Sequence, residues 1–347
     1  MSIRRILVTG GCGFIGSCFI RRLLARDEEV QVVNLDLLTY AGNPENLASI
    51  EGSPRYRFVR GDVRDAGLVD ELMAGVERVV HFAAESHVDR STSAQAGAFI
   101  ETNVFGTFVL LDAMKRIAPG ARFLQIGTDE VYGDVDAPGL PDESAMLAPS
   151  SPYSASKAGA DHLALSFART HELDVLVSRC TNNYGPHQYP EKLIPLFITN
   201  ALDDLPLPLY DGGTQIRDWL RVEDHCDALL LLLDAGVAGE IYNIGANQEP
   251  ERTNAEVTAM ILACTDRPES LIEHRHGLRP GHDQRYAVAT GKMRALGWQP
   301  RAELEQGIAD TVRWYADNRS WWEKLKSGAY RDYYRSHYGS KDELPRR

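Results

Sequence analysis

The segment that most constrains this chain is Gly10-Gly11-Cys12-Gly13-Phe14-Ile15-Gly16, which follows the apolar run Ile6-Leu7-Val8-Thr9 and opens directly into a helical pattern. Glycines at this spacing allow a tight turn, close approach of backbone to a pyrophosphate and close packing of helix on strand. The helix N-terminus adds partial positive charge. Asp36 closes the second strand twenty residues after Gly16, where a carboxylate can accept hydrogen bonds from a ribose diol. Leu37 and Leu38 follow it, not Arg, so no side chain waits for a 2'-phosphate and NAD is expected over NADP. Gly10, Gly13, Phe14, Ile15, Gly16 and Asp36 are therefore the first candidate cofactor contacts.

The rest of the chain repeats the strand-helix rhythm. Short apolar runs over 30–35, 56–59, 79–82, 122–126 and 175–178 read as strands, and 14–25, 68–74, 99–116 and 153–171 carry helical spacing. Such alternation predicts a Rossmann-type α/β fold, a doubly wound parallel sheet covered on both faces. From Asn183 onward Pro186, Pro190, Pro195, Pro206 and Pro208 break the rhythm and mark a smaller α/β lobe. The expected division is a cofactor domain over 1–182 with a return segment at about 219–245, and a substrate-binding lobe over 183–218 and 246–347. The tail 303–322 reads as helix, with Trp314, Trp321 and Trp322 as packing residues.

With Lys and Arg at 37 against 49 Asp and Glu, the net charge of -12 argues against nucleic acid as a bulk partner. Any anionic substrate must meet a local patch. Cys12, Cys18, Cys180, Cys226 and Cys264 are odd in number and without CxxC spacing, which predicts a reducing, cytoplasmic setting and no metal. No run approaches ~18 uninterrupted apolar residues and no cleavable signal precedes the first strand, so neither a membrane nor export is expected.

Tyr153-Ser154-Ala155-Ser156-Lys157 places Tyr and Lys at i and i+4, on one helix face. An ammonium beside a phenol favours phenolate, which can take a hydroxyl proton as hydride leaves for NAD. Thr128-Asp129-Glu130 stands at the end of the 122–126 run, after Gly127. In a continuing strand Asp129 and Glu130 would face opposite ways, so both reach one substrate only if the strand has ended. Two adjacent carboxyls in a closed site oppose one another's ionisation, and one can stay protonated as an acid while the other serves as base. That is elimination chemistry. The plainer alternative is a capping or solvated pair of carboxylates.

Following a dinucleotide fingerprint, the Tyr-Lys pair resembles the extended short-chain dehydrogenase/reductases. Within them, Asp36 to Asn43, Ala83 to Arg90, Thr128 to Gly133, Asn182 to Pro186, Pro190 to Pro195, Arg217 to Trp219 and Arg279 to Asp283 resemble the dTDP-glucose 4,6-dehydratase family over nearly the whole chain. The Thr-Asp-Glu triplet is the most specific element. Leu37 stands where the family commonly has Lys, and Gly127 where Ser is frequent. The resemblance implies that Thr128 hydrogen-bonds the C4 oxygen of a dTDP-glucose substrate, Asp129 protonates the departing C6 hydroxyl and Glu130 takes the C5 proton. It makes Tyr153 the oxidation base, with Lys157 on the nicotinamide ribose. It extends the cofactor contacts to Leu37, Leu38, Thr39, Asp62, Val63, Ala83, Ala84, Ser86, Thr102 and Asn183.

For the substrate the same resemblance implies His87, Asn182, Lys192, Leu193, Pro208, Leu209, Tyr210, Asn254, His282 and Asp283, with Arg217 and Arg279 suited to a pyrophosphate by their fixed, bidentate donors. A homodimer through a four-helix bundle of the 99–116 and 153–171 helices is also implied. Another sugar-nucleotide enzyme of this fold, such as a 4-epimerase or decarboxylase, and a dinucleotide sensor without turnover remain as alternatives. Asp129 and Glu130 separate the dehydratase from an epimerase, which needs neither.

Overall fold

The computed structural model describes residues 4–92, 96–276 and 283–327. Six apolar runs form strands of one sheet: β1 (Arg4–Thr9), β2 (Val30–Asp36), β3 (Tyr56–Arg60), β4 (Arg78–His81), β5 (Arg122–Thr128) and β6 (Asp174–Cys180). The strand Ile241–Ile244 adds beyond β6, and the order is Ile241–Ile244, β6, β5, β4, β1, β2, β3. Every pairing is parallel.

Consecutive strand residues face opposite sides, yet Ile6, Leu7 and Val8 are all buried, so both faces of the sheet are covered. On one face Ile6 and Val8 pack with Phe19, Leu23, Leu229 and Leu233, from the helices Phe14–Arg26 and Val222–Ala235. On the other, Leu7, Val33 and Phe123 pack with Leu72, Leu110 and Ala164, from the helices Ala66–Met73, Gly106–Ile117 and Pro152–His171. The chain leaves β1 toward β2 and β3 and resumes at β4 on the other side of β1, so a crevice opens where β1 and β4 end.

The chain forms two compact units: Met1–Asn183 with Gln215–Arg252 and Arg279–Ala302, and Tyr184–Thr214 with Thr253–Leu278 and Glu303–Arg347. The return to the larger unit is longer than the 219–245 expected. A second return, at 279–302, joins the larger unit although the sequence pattern assigns those residues to the smaller lobe. Arg285 anchors it: Asp134 accepts from its backbone amide at 2.8 Å, and its guanidinium pairs with Glu251 at 2.6 Å and donates to the Gly139 carbonyl at 2.8 Å. Met293 and Trp298 then enter the larger core. None of these contacts has a period for sequence to show.

In the smaller unit the helices Leu193–Leu202, Asn254–Thr265, Leu304–Asp317 and Arg319–Leu325 accompany a parallel strand pair, Leu207–Tyr210 with Ile272–Arg275. The tail is two helices broken at Asn318, not one. Trp322, fully buried, donates its indole N–H to the Tyr315 carbonyl at 2.8 Å. Trp314 and Trp321 stack edge-on at 5.1 Å, so all three are packing residues.

The helical stretch 96–117 is long and apolar enough to cross a bilayer by length and composition, and half of its apolar window is buried within the fold. Its middle is a π-helical turn, Ile100–Phe105.

Candidate active site

The glycine segment turns where β1 ends. Gly10 has φ +69°, and a Cβ there would come within 2.5 Å of the Ala83 amide nitrogen, so bare backbone is what lets the ends of β1 and β4 meet. At Gly16 a Cβ would lie 2.5 Å from the Gly10 carbonyl, which sets how closely the Phe14–Arg26 helix approaches. That helix begins at Gly13 with no side-chain cap and no acidic residue in its first turn. An uncapped N-terminus beside bare backbone fits a pyrophosphate, so the residues present suit a dinucleotide.

Asp36 is buried at the end of β2, and its two oxygens accept from the backbone amides of Cys12 at 2.9 Å and Leu38 at 2.8 Å. It thus ties the glycine loop to the residues after β2 and keeps a further lone pair on each oxygen for a ribose. Leu38 adopts φ +58°, while Leu37 and Thr39 are exposed. The Asp62 carboxylate is held by Arg64, which keeps it below the ordinary carboxylate range, and Val63 beside it is buried. The Ala83 amide donates to the Thr9 hydroxyl at 3.3 Å, and Ala84, Ser86 and Thr102 are half-buried. Asn183 donates to the Thr181 carbonyl at 2.9 Å and meets the His225 ring nitrogen Nδ1 at 2.9 Å.

The strand before the acidic pair runs two residues further than the sequence pattern suggests. Gly127 and Thr128 both pair within the sheet, opposite Arg179 and Cys180. What ends the strand is Thr128, which caps a short 3-10 helix over Asp129–Tyr132 by accepting from the Glu130 amide at 3.3 Å. Asp129 and Glu130 therefore leave the pleat together. Gly127 instead permits close packing, since a Cβ there would sit 2.6 Å from the Ser178 carbonyl and 3.1 Å from both carboxylate oxygens of Asp161.

Asp129 is 4% exposed, and its Oδ2 is buried with no hydrogen-bond partner among the described residues. Its Oδ1 accepts from the Thr128 hydroxyl at 3.3 Å. Burial pushes its carboxyl well above the usual range, and the charges of Glu130 and Asp218 add to this, while Arg217 opposes them. Glu130 is half-buried. Of the two neighbouring carboxyls, Asp129 is the deeper and the one biased toward its protonated form.

Tyr153 and Lys157 lie on the Pro152–His171 helix, whose start is fixed by a capping box between Ser151 and Ser154. Both are buried, and Phe99 stands edge-on to the Tyr153 ring. The expected lowering of the Tyr153 phenol is not found in the protein alone. Burial first, then Glu130, Cys180 and Asp129, push it well above its ordinary value, with the Thr128 hydroxyl working the other way. Lys157 meanwhile donates to the Ile126 carbonyl at 2.5 Å, and burial lowers it.

Arg217 is buried beside this group, stacked 4.3 Å over the Tyr286 ring and donating to the carbonyls of Ile216 at 2.7 Å and Asp283 at 2.9 Å. Asp283 accepts from the Tyr286 hydroxyl at 2.6 Å and from Ser150. His87 is buried, and Asn182 Oδ1 is a buried acceptor with no partner among the described residues. In the smaller unit Lys192 precedes the Leu193–Leu202 helix at its N-cap position without a side-chain capping bond, and Pro208, Leu209 and Tyr210 lie on the strand paired with Ile272–Arg275. Asn254 starts the Asn254–Thr265 helix, and its buried Oδ1 has no partner among the described residues. Arg279 and His282 lie outside the described residues.

Sequence reasoning missed Asp218 and Tyr286, which stand against Asp129 and Arg217 through folding of distant segments and leave no local signal. It also missed Asp161 and Arg179. Asp161 was findable, because it repeats the spacing of Tyr153 and Lys157 by one more turn on the same helix face.

A parallel sheet in this order, with a glycine loop after β1 and a buried Tyr and Lys one helical turn apart beside the end of β5, defines an extended short-chain dehydrogenase/reductase. The profile of the GDP-mannose 4,6 dehydratase family matches residues 7–311. The dTDP-glucose 4,6-dehydratase of Streptomyces niveus is 52% identical over 328 residues, 93% of this chain and 96% of that protein. Among solved structures, the dTDP-glucose 4,6-dehydratase of Streptomyces venezuelae, with NAD bound, is 51% identical with a TM-score of 0.89, covering 93% of this chain and 100% of that one. That of Bacillus anthracis, also with NAD, is 45% identical with a TM-score of 0.86 over the same 93% of this chain and 100% of its own. The chain belongs to the dTDP-glucose 4,6-dehydratase family.

Proposed function

We propose that this protein converts dTDP-glucose to dTDP-4-keto-6-deoxyglucose for deoxysugar biosynthesis, and that Thr128, Asp129, Glu130, Tyr153 and Lys157 carry the chemistry. The observation that supports the residue roles best is the buried carboxyl of Asp129 beside Glu130, with an oxygen that has no partner among the described residues. A 4-epimerase of this fold would have no use for it. NAD accepts the C4 hydride and returns it to C6, so it ends each turnover as it began. Tyr153 takes the C4 hydroxyl proton, with Thr128 on the same oxygen and Lys157 on the nicotinamide ribose. Once C4 is a ketone the C5 hydrogen is acidic, and Glu130 removes it while Asp129 protonates the leaving C6 hydroxyl. Reduction at C6 and reprotonation at C5 complete the cycle. Incubation with dTDP-glucose followed by mass spectrometry should show loss of one water, and an unchanged or merely epimerised sugar would refute the reading.

The larger unit is assigned the cofactor and the smaller one substrate binding, with Lys192, Leu193, Pro208, Leu209, Tyr210 and Asn254 as its contacts. A homodimer is proposed through the helices Gly106–Ile117 and Pro152–His171. Phe105 and Phe108 are exposed and stacked 6.0 Å apart, Phe108 meets Phe167 edge-on at 6.3 Å, and Ile100 is 53% exposed. An apolar face of this kind is costly in water. Phe108→Asp should convert the dimer to monomer in sedimentation, and a wild-type protein that is already a monomer would exclude the assignment. A cytoplasmic location fits five free cysteines, four of them buried.

A further inference from the structure

Below Lys157 on the catalytic helix lies a buried charge cluster that no part of the reaction has so far used. Asp161, one turn beyond Lys157, is completely buried, and its Oδ2 accepts from Arg179 Nε at 2.9 Å. Arg179, on β6, is 1% exposed; it also donates to the Tyr132 hydroxyl at 2.9 Å and lies 5.0 Å over that ring. Tyr132 in turn donates to Asn243 at 2.8 Å. A Cβ built on Gly127, the residue before Thr128, would lie 3.1 Å from both Asp161 carboxylate oxygens, so the two pack closely. The cluster thus holds two cations and one carboxylate.

We propose that Arg179 is a positioning residue: by holding Asp161 it keeps that carboxylate from neutralising Lys157, so that the ammonium's charge stays available to the Tyr153 phenol. The proposal rests on Tyr153 being the oxidation base. Counting charge gives its content. Lys157, Asp161 and Arg179 sum to one positive charge, which a phenolate one helical turn from Lys157 can use. Without Arg179 the carboxylate and the ammonium cancel, whereas without Asp161 two positive charges remain. The other ionisable groups around Tyr153 and Lys157 among the described residues are Glu130 and Asp129 after β5, Cys180 on β6 and His81 on β4. Burial holds His81 neutral, at about 3, and lifts the Cys180 thiol to about 12, so neither supplies charge at working pH. The charge of His162, the next residue and exposed, also acts on Asp161.

The proposal is tested by the pH dependence of reduced-nicotinamide formation in a single turnover of the NAD-loaded enzyme with dTDP-glucose. Arg179→Met should move the acid limb of that rate upward by about one pH unit, and Asp161→Asn should move it downward by a similar amount, the scale expected for one nearby charge. The double variant restores a single positive charge and should return the limb to within a few tenths of wild type, with Arg179→Lys rescuing the single variant. Equal limbs in all four proteins, or shifts of the same sign in both single variants, would overturn the proposal and leave Asp161 and Arg179 as structural only. Tyr153→Phe run alongside separates the two failures: if it still reduced NAD, the underlying assignment of the base would fall instead.

Discussion

Asp129→Asn is the substitution on which the dehydratase chemistry turns. The amide keeps the size of the side chain and can still accept from Thr128 through its carbonyl oxygen, the contact that now measures 3.3 Å. What disappears is the acidic proton. In the wild-type protein retention of that proton is favoured because the group is buried, feels the charges of Glu130 and Asp218, and has an oxygen with no other partner among the described residues. Loss of a positioned general acid costs ~10²- to 10⁴-fold in rate, or about 3–5 kcal/mol of barrier, and the whole loss should fall on departure of the C6 hydroxyl. Oxidation at C4, for which Tyr153 is the proposed base, should be nearly spared. Mixed with dTDP-glucose, the variant should therefore accumulate enzyme-bound reduced nicotinamide close to one per active site, while ketone product forms slowly. Stopped-flow absorbance and product mass spectrometry read the two quantities separately. Dehydration at the normal rate would refute the reasoning, and Glu130 would then have to serve as both acid and base.

The remaining expectations can be checked with the same preparations. Tyr153→Phe should abolish reduced-nicotinamide formation on adding substrate, and rapid reduction would move the base elsewhere, with Glu130 the next candidate. Asp129 also has a stability signature. Its native carboxyl stays protonated to higher pH than the unfolded one, so the native state binds more protons and wild-type stability falls as pH rises from the unfolded carboxyl value of ~3.9. The melting temperature of Asp129→Asn should thus exceed wild type by a margin that grows with pH, and a margin that shrank would contradict the assigned shift. Gly10→Ala forces a Cβ to 2.5 Å from the Ala83 backbone at a positive φ, an overpacking worth about 1–3 kcal/mol. The variant should melt lower and purify without NAD, and full NAD content would show that the loop does not form the cofactor cradle.

Much of this arrangement is legible in sequence because it is local. The glycine turn, Asp36 at the end of β2 and the Tyr-Lys spacing each lie within one strand-helix unit, where period and turn chemistry speak directly. The Thr-Asp-Glu triplet was half legible. Its need to leave the strand followed from the pleat, but the device that ends the strand is the Thr128 cap, and Gly127 proved to serve close contact with Ser178 and Asp161. Long-range features were not visible. The return of 279–302 depends on Arg285 meeting Asp134 and Glu251, and the environment of Asp129 depends on Asp218, far along the chain. Nor could spacing give the state of Tyr153. The pattern shows the lysine one turn away, whereas burial first, and then Glu130 and Cys180, raise the phenol.

The central claim is that one hydride makes a closed circuit within a single turnover, and isotopic labelling tests it most directly. Given dTDP-glucose carrying deuterium at C4, the enzyme should deliver that deuterium to C6 of the product and incorporate a solvent proton at C5, with no external reductant consumed. Retention of the label at C4, its loss to solvent, or a requirement for stoichiometric NADH would contradict the account.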